Sequence, residues 1–324
     1  MNGVRARGDR PVLVTGAAGF IGSNLVLRLL RDGRDVIGVD DLSTGDLAHL
    51  APALEDGSSF AFERLDVRDP QLAALVERHR PGVIHHLAAQ VDVRRSVEDP
   101  LHDADVNVLG TIAVLEAARR CGVERVVYAS SIGSYGEPAE AELPVDESFG
   151  APALSPYGAS KRVALDYLDT YAHLYGLAST ALTLANVYGP HQTTAGEGGV
   201  VATFIGRMLA GEPCAIHGDG EQSRDLVFVE DVVEAFVAAA GDGAGKRYLI
   251  GTGRRTSVNQ LFEVLAEATG YELEPSHGPA RAGEIRHSSV DARAAARDLG
   301  WHPRTSLESG LAATLAWART ARSV

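Results

Sequence analysis

The stretch VLVTGAAGFIG, residues 12–22, decides the fold of this 324-residue chain. A short aliphatic run leads into Gly16, Gly19 and Gly22 in a GxxGxxG spacing, and a helical pattern follows over Ser23–Leu30. Glycines let the chain turn tightly and bring backbone N–H groups close to a phosphate at the helix N-terminus. An incidental glycine turn is the alternative, but the position between strand and helix favours a dinucleotide-binding turn.

Up to about residue 185 the chain alternates short apolar runs with longer amphipathic segments. Strand-like runs occupy Pro11–Thr15, Asp35–Val39, Phe60–Leu65, Val83–Leu87, Arg125–Ala129 and Ser179–Leu184. Helical spacing of apolar residues covers Gly22–Arg31, Leu72–Arg80, Val108–Arg120 and Tyr157–Tyr175. This order is typical of βαβ units, so the sequence predicts an α/β fold with a Rossmann-type, doubly wound parallel sheet.

A smaller C-terminal α/β substrate-binding region is predicted after Tyr188-Gly189-Pro190. It begins with a helix near Val200–Ala210 and a strand over Cys214–His217. The segments Leu226–Ala240 and Arg247–Ile250 have the pattern of a strand, a helix and a strand that return to the main sheet. We therefore expect a dinucleotide-binding domain of residues 1–187 and about 225–252, and a substrate-binding domain of residues 188–224 and 253–324.

The composition argues against several classes of protein. Hydrophobic residues make up 45% and charged residues 23%, and no stretch approaches the length of a membrane span. A net charge of −13 repels phosphate backbones and disfavours nucleic-acid binding. Cys121 and Cys214 lack metal-site or disulfide spacing. Since Met1–Arg10 does not have the pattern of a signal peptide, we expect a cytoplasmic protein.

Two acidic residues follow predicted strands where a dinucleotide would extend. Asp40 closes the second strand, where a carboxylate accepts hydrogen bonds from the adenosine ribose and repels a 2′-phosphate. This predicts NAD rather than NADP, with a helix-capping aspartate as the alternative. Asp66, after the third strand, is either an adenine contact or an ordinary turn aspartate.

A candidate catalytic group lies in SPYGASK, residues 155–161. Tyr157 and Lys161 are four residues apart at the start of a helix, so their side chains share one face. A nearby ammonium favours the phenolate and lowers a tyrosine's pKa from about 10, which suits a base that later acts as an acid. Ser131 follows a strand of the same sheet, at the edge where ligands bind. A surface YxxxK pattern and a turn-forming serine are the alternatives.

With these motifs the sequence resembles the extended short-chain dehydrogenase/reductase family and, within it, the UDP-glucose 4-epimerases. The resemblance covers nearly the whole chain, and it is carried by Gly16–Gly22, Asp40, His86–Gln90, Asn107, Ser130-Ser131, Tyr157–Lys161, Asn186–Pro190, Arg224–Asp231 and Arg281–Glu284. It implies NAD as the cofactor, a UDP-sugar as the substrate and a homodimer. The implied reaction interconverts UDP-glucose and UDP-galactose through a 4-keto sugar.

The resemblance also implies residue roles. Tyr157 would be the catalytic base, Lys161 the ribose-binding lysine and Ser131 the hydroxyl partner. Implied cofactor contacts are Gly16, Ala18, Gly19, Phe20, Ile21, Asp40, Asp41, Leu42, Ser43, Gly45, Asp66, Val67, Leu87, Ala88, Ala89, Gln90, Asn107, Ala129, Ser130, Tyr157, Lys161 and Val187. Implied substrate contacts are Val91, Ser131, Ile132, Gly133, Tyr157, Asn186, Val200, Val201, Ile216, His217, Arg224, Arg281 and Glu284. A surface ion pair is the alternative for Arg224, and helix capping for Arg281 and Glu284.

Two positions at which this chain differs from its relatives favour one reaction over the others. Related 4,6-dehydratases and uronate decarboxylases carry acidic residues where this chain has Ile132 and Gly133. Elimination then lacks its acid/base group, which favours epimerisation. The same two residues weaken UDP-glucuronate as a substrate, while Arg94, Arg95 and His191 remain candidates for binding a carboxylate.

Other positions do not decide which sugar is the substrate. Ser288 stands where some relatives have a bulkier residue, which predicts tolerance of an N-acetyl group on the sugar. Thr183 replaces an arginine of many relatives with unknown effect, and His85 and His86 are expected to pack rather than bind metal. Alternatives for the function are an epimerase or reductase acting on a UDP-uronate or dTDP-sugar, and a non-catalytic NAD-binding regulator.

Overall fold

Seven parallel strands form the central sheet of the computed structural model, which describes residues 10–56, 59–193, 199–241, 243, 245–279 and 285–321. The strands, in chain order, are β1 Val12–Thr15, β2 Val36–Asp40, β3 Phe60–Arg64, β4 Val83–His86, β5 Arg125–Ser131, β6 Ala178–Leu184, β7 Asn186–Tyr188, β8 Ala215–His217, β9 Ser223–Arg224, β10 Leu226–Phe228, β11 Lys246–Ile250, β12 Thr256–Ser257 and β13 Ser276–Gly278. The order in the main sheet is β3-β2-β1-β4-β5-β6-β11.

Helices cover both faces of this sheet. They are α1 Phe20–Arg31, α2 Ala51–Asp56, α3 Gln71–His79, α4 Val93–Glu98, α5 Pro100–Ala104, α6 Gly110–Arg120, α7 Pro156–Tyr175, α8 Val200–Ala210, α9 Val229–Gly241, α10 Val258–Thr269, α11 Arg293–Leu299 and α12 Leu307–Ala321. No helix within the described part of the chain has the length and apolar character needed to cross a membrane.

The alternation of side chains along β1 explains the two covering layers. Val12 and Val14 join the hydrophobic cluster on one side of the sheet, whereas Leu13 joins the cluster on the other side. Because successive side chains of a strand point to opposite faces, a strand that is apolar throughout is buried on both. The predicted α/β fold with a doubly wound parallel sheet is therefore confirmed.

The order of the strands reverses between β1 and β4, which lie side by side in parallel. In sheets of this type the loops after the two central strands diverge and leave a crevice at their carboxyl ends. The predicted glycine turn follows β1, and residues 87–90 follow β4. The fold therefore brings these two segments of the predicted site together.

Three features differ from the sequence-based expectations. β11 enters the main sheet beside β6 as predicted, but the expectation that the strand starting at Leu226 does so is wrong, because β10 pairs with β7. The helix predicted over Val108–Arg120 begins at Gly110 instead, because a π-helical turn occupies Asp105–Leu109. The strand predicted to end at Ala129 continues to Ser131. The division of the chain into two domains stays a prediction.

Candidate active site

The glycine turn after β1 packs directly on the loop after β4. Gly16 has a φ of +69°, and a Cβ placed on it would lie 2.8 Å from the amide nitrogen of Ala88. A Cβ on Gly22 would lie 1.9 Å from the carbonyl oxygen of Gly16. These distances leave no room for side chains, so both positions require glycine.

The N-terminus of α1 suits an anion. Gly19 is the N-cap residue and offers no capping side chain, and the first turn, with Phe20 and Ile21, contains no acidic residue. Amide groups of a first helical turn have no carbonyl partner inside the helix, and the helix dipole adds partial positive charge there. The turn and this helix end therefore fit a phosphate group such as a dinucleotide carries.

Asp40 lies at the end of β2 beside the glycine turn. One carboxylate oxygen accepts a hydrogen bond from the Ala18 amide at 2.9 Å, and the other accepts one from the Leu42 amide at 2.8 Å. Burial raises the pKa of Asp40, while these two hydrogen bonds act in the opposite direction. The next helical turn is capped by Asp46 rather than Asp40, so the alternative of a helix-capping Asp40 is wrong.

Further acidic residues at this edge are held by local partners. Asp41 accepts hydrogen bonds from the amide and hydroxyl of Ser43 at 2.9 and 2.7 Å. Asp66, after β3, pairs with Arg68, which lowers the pKa of Asp66, and Val67 beside it is buried. Direct contacts of these residues with a cofactor stay predictions.

The loop after β4 is held in place by hydrogen bonds to Thr15. The Thr15 hydroxyl accepts hydrogen bonds from the amides of Leu87 and Ala88, both at 3.2 Å. The His86 ring bridges Thr15 at 2.8 Å and Thr111 at 3.1 Å. Burial lowers the pKa of His86 to about 3, so the ring is neutral. His86 therefore has a packing role, and Thr15 is a site residue that the sequence reasoning missed.

Asn107 supports the end of this loop. Its side-chain oxygen accepts from the Gln90 amide at 2.9 Å, and its side-chain nitrogen lies 3.0 Å from the Gln90 carbonyl oxygen. The same nitrogen lies 3.1 Å from a carboxylate oxygen of Asp103 and from the Ser160 hydroxyl. Asn107 is buried and holds Gln90 through these two hydrogen bonds. The sequence reasoning did not include Asp103 and Ser160.

Ser131 and Tyr157 both lie next to Gly133. A Cβ on Gly133 would lie 3.5 Å from the Ser131 hydroxyl oxygen and 3.8 Å from the Tyr157 ring. The Ser131 hydroxyl accepts a hydrogen bond from the Gly133 amide, and Ser155 caps the helix that carries Tyr157. The end of β5 and the first turn of α7 thus bring the Ser131 hydroxyl and the Tyr157 ring close to the same glycine.

Lys161 lies one turn further along α7, at 3% exposure. Its ammonium donates a hydrogen bond to the Ala129 carbonyl oxygen at 3.0 Å and lies 4.9 Å from the centre of the Tyr128 ring. Burial lowers the pKa of Lys161 to about 8, because desolvation disfavours the charged form. Ser130, the residue before Ser131 on β5, is also buried.

Of the two departures beside Ser131, Ile132 faces an apolar cleft. Ile132 lines it together with Tyr135 and Ser288. Ser288 is buried, and its amide donates to the Ser223 carbonyl oxygen at 3.2 Å. Thr183 is buried within β6. No carboxylate stands at positions 132 and 133, as the sequence already shows.

The predicted substrate residues begin at β7. Asn186 is exposed, its amide donates to the Asp225 carbonyl oxygen at 3.0 Å, and Val187 follows it in the strand. Arg224 on β9 is half-buried and donates to the Ser223 carbonyl oxygen at 2.9 Å. Asp225 is fully buried and holds the amides of Thr252, Gly253 and Val290, a structural role that sequence reasoning missed.

The remaining predicted contacts are spread over neighbouring elements. Val200 and Val201 start α8, and Ile216 and His217 lie on β8, which pairs with β13. Val91 is exposed beyond the loop after β4, and Gly45 lies against Asp40. Arg281 and Glu284 lie outside the described residues, so their role stays a prediction.

His191 packs against other side chains, and its role in binding a carboxylate stays a prediction. Its ring stacks on His49 with centroids 4.5 Å apart, and one ring nitrogen lies 2.8 Å from the Ser23 hydroxyl. Burial lowers the pKa of His191 to about 4, which leaves it uncharged at neutral pH. Arg94 and Arg95 are exposed, and Arg94 lies 3.7 Å from Asp92.

Comparison with known proteins agrees with this geometry. The NAD dependent epimerase/dehydratase family matches residues 12–251 of the chain. The UDP-glucose 4-epimerase of Mycolicibacterium smegmatis is 48% identical over 309 residues, which cover 95% of this chain and 98% of that protein.

Solved structures give the same result. A UDP-glucose 4-epimerase of Thermotoga maritima with UDP-glucose has a TM-score of 0.92 and 42% identity, covering 96% of this chain and 99% of that one. A UDP-glucose 4-epimerase of Thermus thermophilus in complex with NAD has a TM-score of 0.88 and 37% identity, covering 96% and 99%.

Proposed function

Because the chain belongs to the NAD dependent epimerase/dehydratase family, we propose that it interconverts UDP-glucose and UDP-galactose by NAD-dependent epimerisation at C4. The observation that carries this proposal is the meeting of Ser131 and Tyr157 around Gly133, at the carboxyl edge of the sheet that holds the glycine turn. The similarity to UDP-glucose 4-epimerases over nearly the whole chain supports the choice of substrate.

The cradle after β1 fits the cofactor. Gly16 and Gly22 leave backbone in place of side chains, and the start of α1 attracts a diphosphate. Asp40 carries a carboxylate at the end of β2, which favours ribose hydroxyls over a 2′-phosphate. When bound, NAD supplies a reversible hydride acceptor for C4 of the sugar.

In the proposed reaction Tyr157 takes the proton of the sugar 4-hydroxyl, and Ser131 holds the same oxygen by a hydrogen bond. The Lys161 ammonium stabilises the phenolate of Tyr157 by its charge. After the 4-keto sugar has turned over within the site, Tyr157 returns the proton to the oxygen. With Ile132 and Gly133 beside Ser131, neither of those two positions offers a carboxylate for elimination.

Exposed apolar side chains on three helices indicate how the protein assembles. Apolar side chains stay exposed on α4, α5 and α7, which pack against one another, and Val97 and Leu101 are 63% and 83% exposed. Val163 on α7 adds to this surface at 40% exposure. Exposed apolar patches of this kind mark interaction sites, so we infer a homodimer formed through these helices. A cytoplasmic location stays a prediction.

The decisive experiment is product analysis with purified protein. We expect UDP-glucose and UDP-galactose to interconvert to equilibrium without added reductant, and Tyr157→Phe to abolish the reaction. Tyr175→Phe, at the far end of α7, is the matched control, because its ring contacts survive the loss of the hydroxyl. Stoichiometric consumption of NADH would instead identify a reductase, and binding of UDP-sugars without turnover would identify a non-catalytic protein.

A further inference from the structure

Asp103 is a buried carboxylate that the proposed reaction leaves without a role. It lies on α5 at 1% exposure. One oxygen accepts hydrogen bonds from the Gln90 side chain at 2.8 Å and from the Asn107 side chain at 3.1 Å. The other oxygen is buried and has no hydrogen-bond partner among the described residues. Burying a carboxylate with a free oxygen is costly, so its presence needs a physical reason.

A chain of hydrogen bonds joins Asp103 to the catalytic helix. The Asn107 side chain that donates to Asp103 also lies 3.1 Å from the Ser160 hydroxyl. Ser160 precedes Lys161 in sequence, and its hydroxyl donates to the Tyr157 carbonyl oxygen at 3.0 Å. Asp103 is therefore connected to the turn of α7 that carries both proposed catalytic side chains.

The groups of the sheet that Lys161 contacts are uncharged. Its ammonium contacts the Ala129 carbonyl and the Tyr128 ring, and burial raises the pKa of Tyr128 far above its usual range. His86 on β4 is neutral because burial lowers its pKa to about 3. Tyr157 is the titratable neighbour on α7 itself. None of these groups is an anion when the tyrosines are protonated.

The charged groups on the other neighbouring elements form ion pairs with one another or are exposed or half-buried. Ion pairs join Asp92 to Arg94, Arg68 to Asp105 and Glu116 to Arg119. Arg95, Glu98 and Asp99 are exposed, and His102 is half-buried. Among the described residues of α4, α5 and α7, Asp103 is the only buried carboxylate. Its charge raises the pKa of Lys161 and opposes the larger effect of burial.

We propose that Asp103 is a positioning residue whose negative charge stabilises the buried Lys161 ammonium. The same carboxylate fixes Gln90 and Asn107, so that the loop after β4 and the catalytic helix keep one relative position. The consequence for catalysis rests on the proposed function, since it is expressed through Tyr157. A lysine that loses its proton no longer favours the phenolate.

The sequence offers a direct measurement of this role. Lys161 and Lys246 are the only two lysines in the chain, so lysine labelled with carbon-13 gives two side-chain signals by NMR. In Asp103→Asn the amide oxygen still accepts a hydrogen bond, but the charge is lost. We expect the pKa of Lys161 to fall by about one unit. The signal of the exposed Lys246, which pairs with Asp298 at 2.8 Å, serves as the internal control.

Two further variants separate charge from packing. Asp105→Asn removes a nearby carboxylate that pairs with Arg68, and it should leave the titration of Lys161 unchanged. Asp103→Glu keeps the charge and should keep the pKa of Lys161 close to that of the wild type, even where the longer side chain disturbs Gln90. Samples are compared at equal NAD content.

The neutral variant can support or overturn the proposal, and the charge-keeping variant can overturn it. An unchanged pKa of Lys161 in Asp103→Asn overturns it, and so does a fall in Asp103→Glu as large as expected for the neutral variant. If one variant does not fold, the titration of the other still tests the proposal. The titration does not depend on turnover, so a protein that fails to epimerise UDP-glucose would refute the proposed function without touching the link between Asp103 and Lys161.

Discussion

Gly16 lies so close to Ala88 that a Cβ on Gly16 would stand 2.8 Å from the Ala88 amide nitrogen. This contact joins the turn after β1 to the loop after β4 at the point where the strand order reverses. Any side chain at Gly16 must push the two segments apart, and these are the segments that are proposed to hold the dinucleotide.

We therefore expect Gly16→Ala to lose NAD binding and to destabilise the protein. A positive φ alone costs about 1–2 kcal/mol for a non-glycine residue, and the clash with backbone atoms adds to it. Gly33→Ala is the matched control, because Gly33 has a similar φ of +72° and no atom lies within 4 Å of its added Cβ. Thermal unfolding and NAD titration measure both effects, and equal losses in the two variants would contradict the role of the close contact.

Because of Lys161, activity and stability should change in opposite directions as the pH rises. Its pKa is lowered from 10.5 to about 8 by burial, so the folded protein releases this proton before the unfolded chain does. Between these values the unfolded state binds more protons, and the contribution of Lys161 to the free energy of unfolding rises with pH. We expect kcat to fall over the same range as the ammonium is lost.

The matched variant for this prediction is Lys161→Met, which keeps the length of the side chain without its charge. The difference in unfolding free energy between Lys161→Met and the wild type should shift in favour of the wild type from pH 8 to 10.5. Chemical denaturation at several pH values measures it. A kcat that holds constant above pH 9 would contradict the need for the charged lysine.

Local patterns in the sequence were sufficient to predict most of the main sheet and the proposed catalytic residues. The glycine spacing before α1 and the YxxxK pattern at the start of α7 each depend on residues close together in the chain. The end of β5 was less clear, because Ser130 and Ser131 resemble turn residues. In the structure they continue the strand by pairing with Thr183 and Leu184 of β6.

The support beneath the site could not be predicted in this way. Asp103 has no local motif, and its burial requires α5, the Gln90 segment and α7 to meet in the folded chain. The stacking of His49 on His191 likewise depends on segments far apart in sequence. Such contacts follow from the tertiary fold, whereas charge and polarity alone suggest solvent-exposed residues.

Cofactor preference should depend on Asp40. We expect Asp40→Asn to lower NAD affinity by about tenfold or more, since a charge-assisted hydrogen bond to the ribose becomes a neutral one. Discrimination against NADP should weaken at the same time, because the repulsion of a 2′-phosphate is lost. Asp35→Asn, at an exposed position before β2, is the control. Calorimetric titration with both nucleotides measures the ratio, and an unchanged ratio would remove Asp40 from the ribose site.

Tolerance of an N-acetyl sugar should depend on Ser288, which lines the cleft beside Ile132. Because a small residue at this position obstructs a bulky 2-substituent less than a large one does, we expect the wild type to turn over UDP-N-acetylglucosamine as well as UDP-glucose. Ser288→Tyr should lower the ratio of kcat/KM values for the N-acetyl sugar over glucose by about tenfold or more, as a steric clash in a pocket does. UDP-glucose turnover by the same variant controls for its folding. A wild type that is inactive on the N-acetyl sugar, or a ratio that the substitution leaves unchanged, would place the specificity determinant elsewhere.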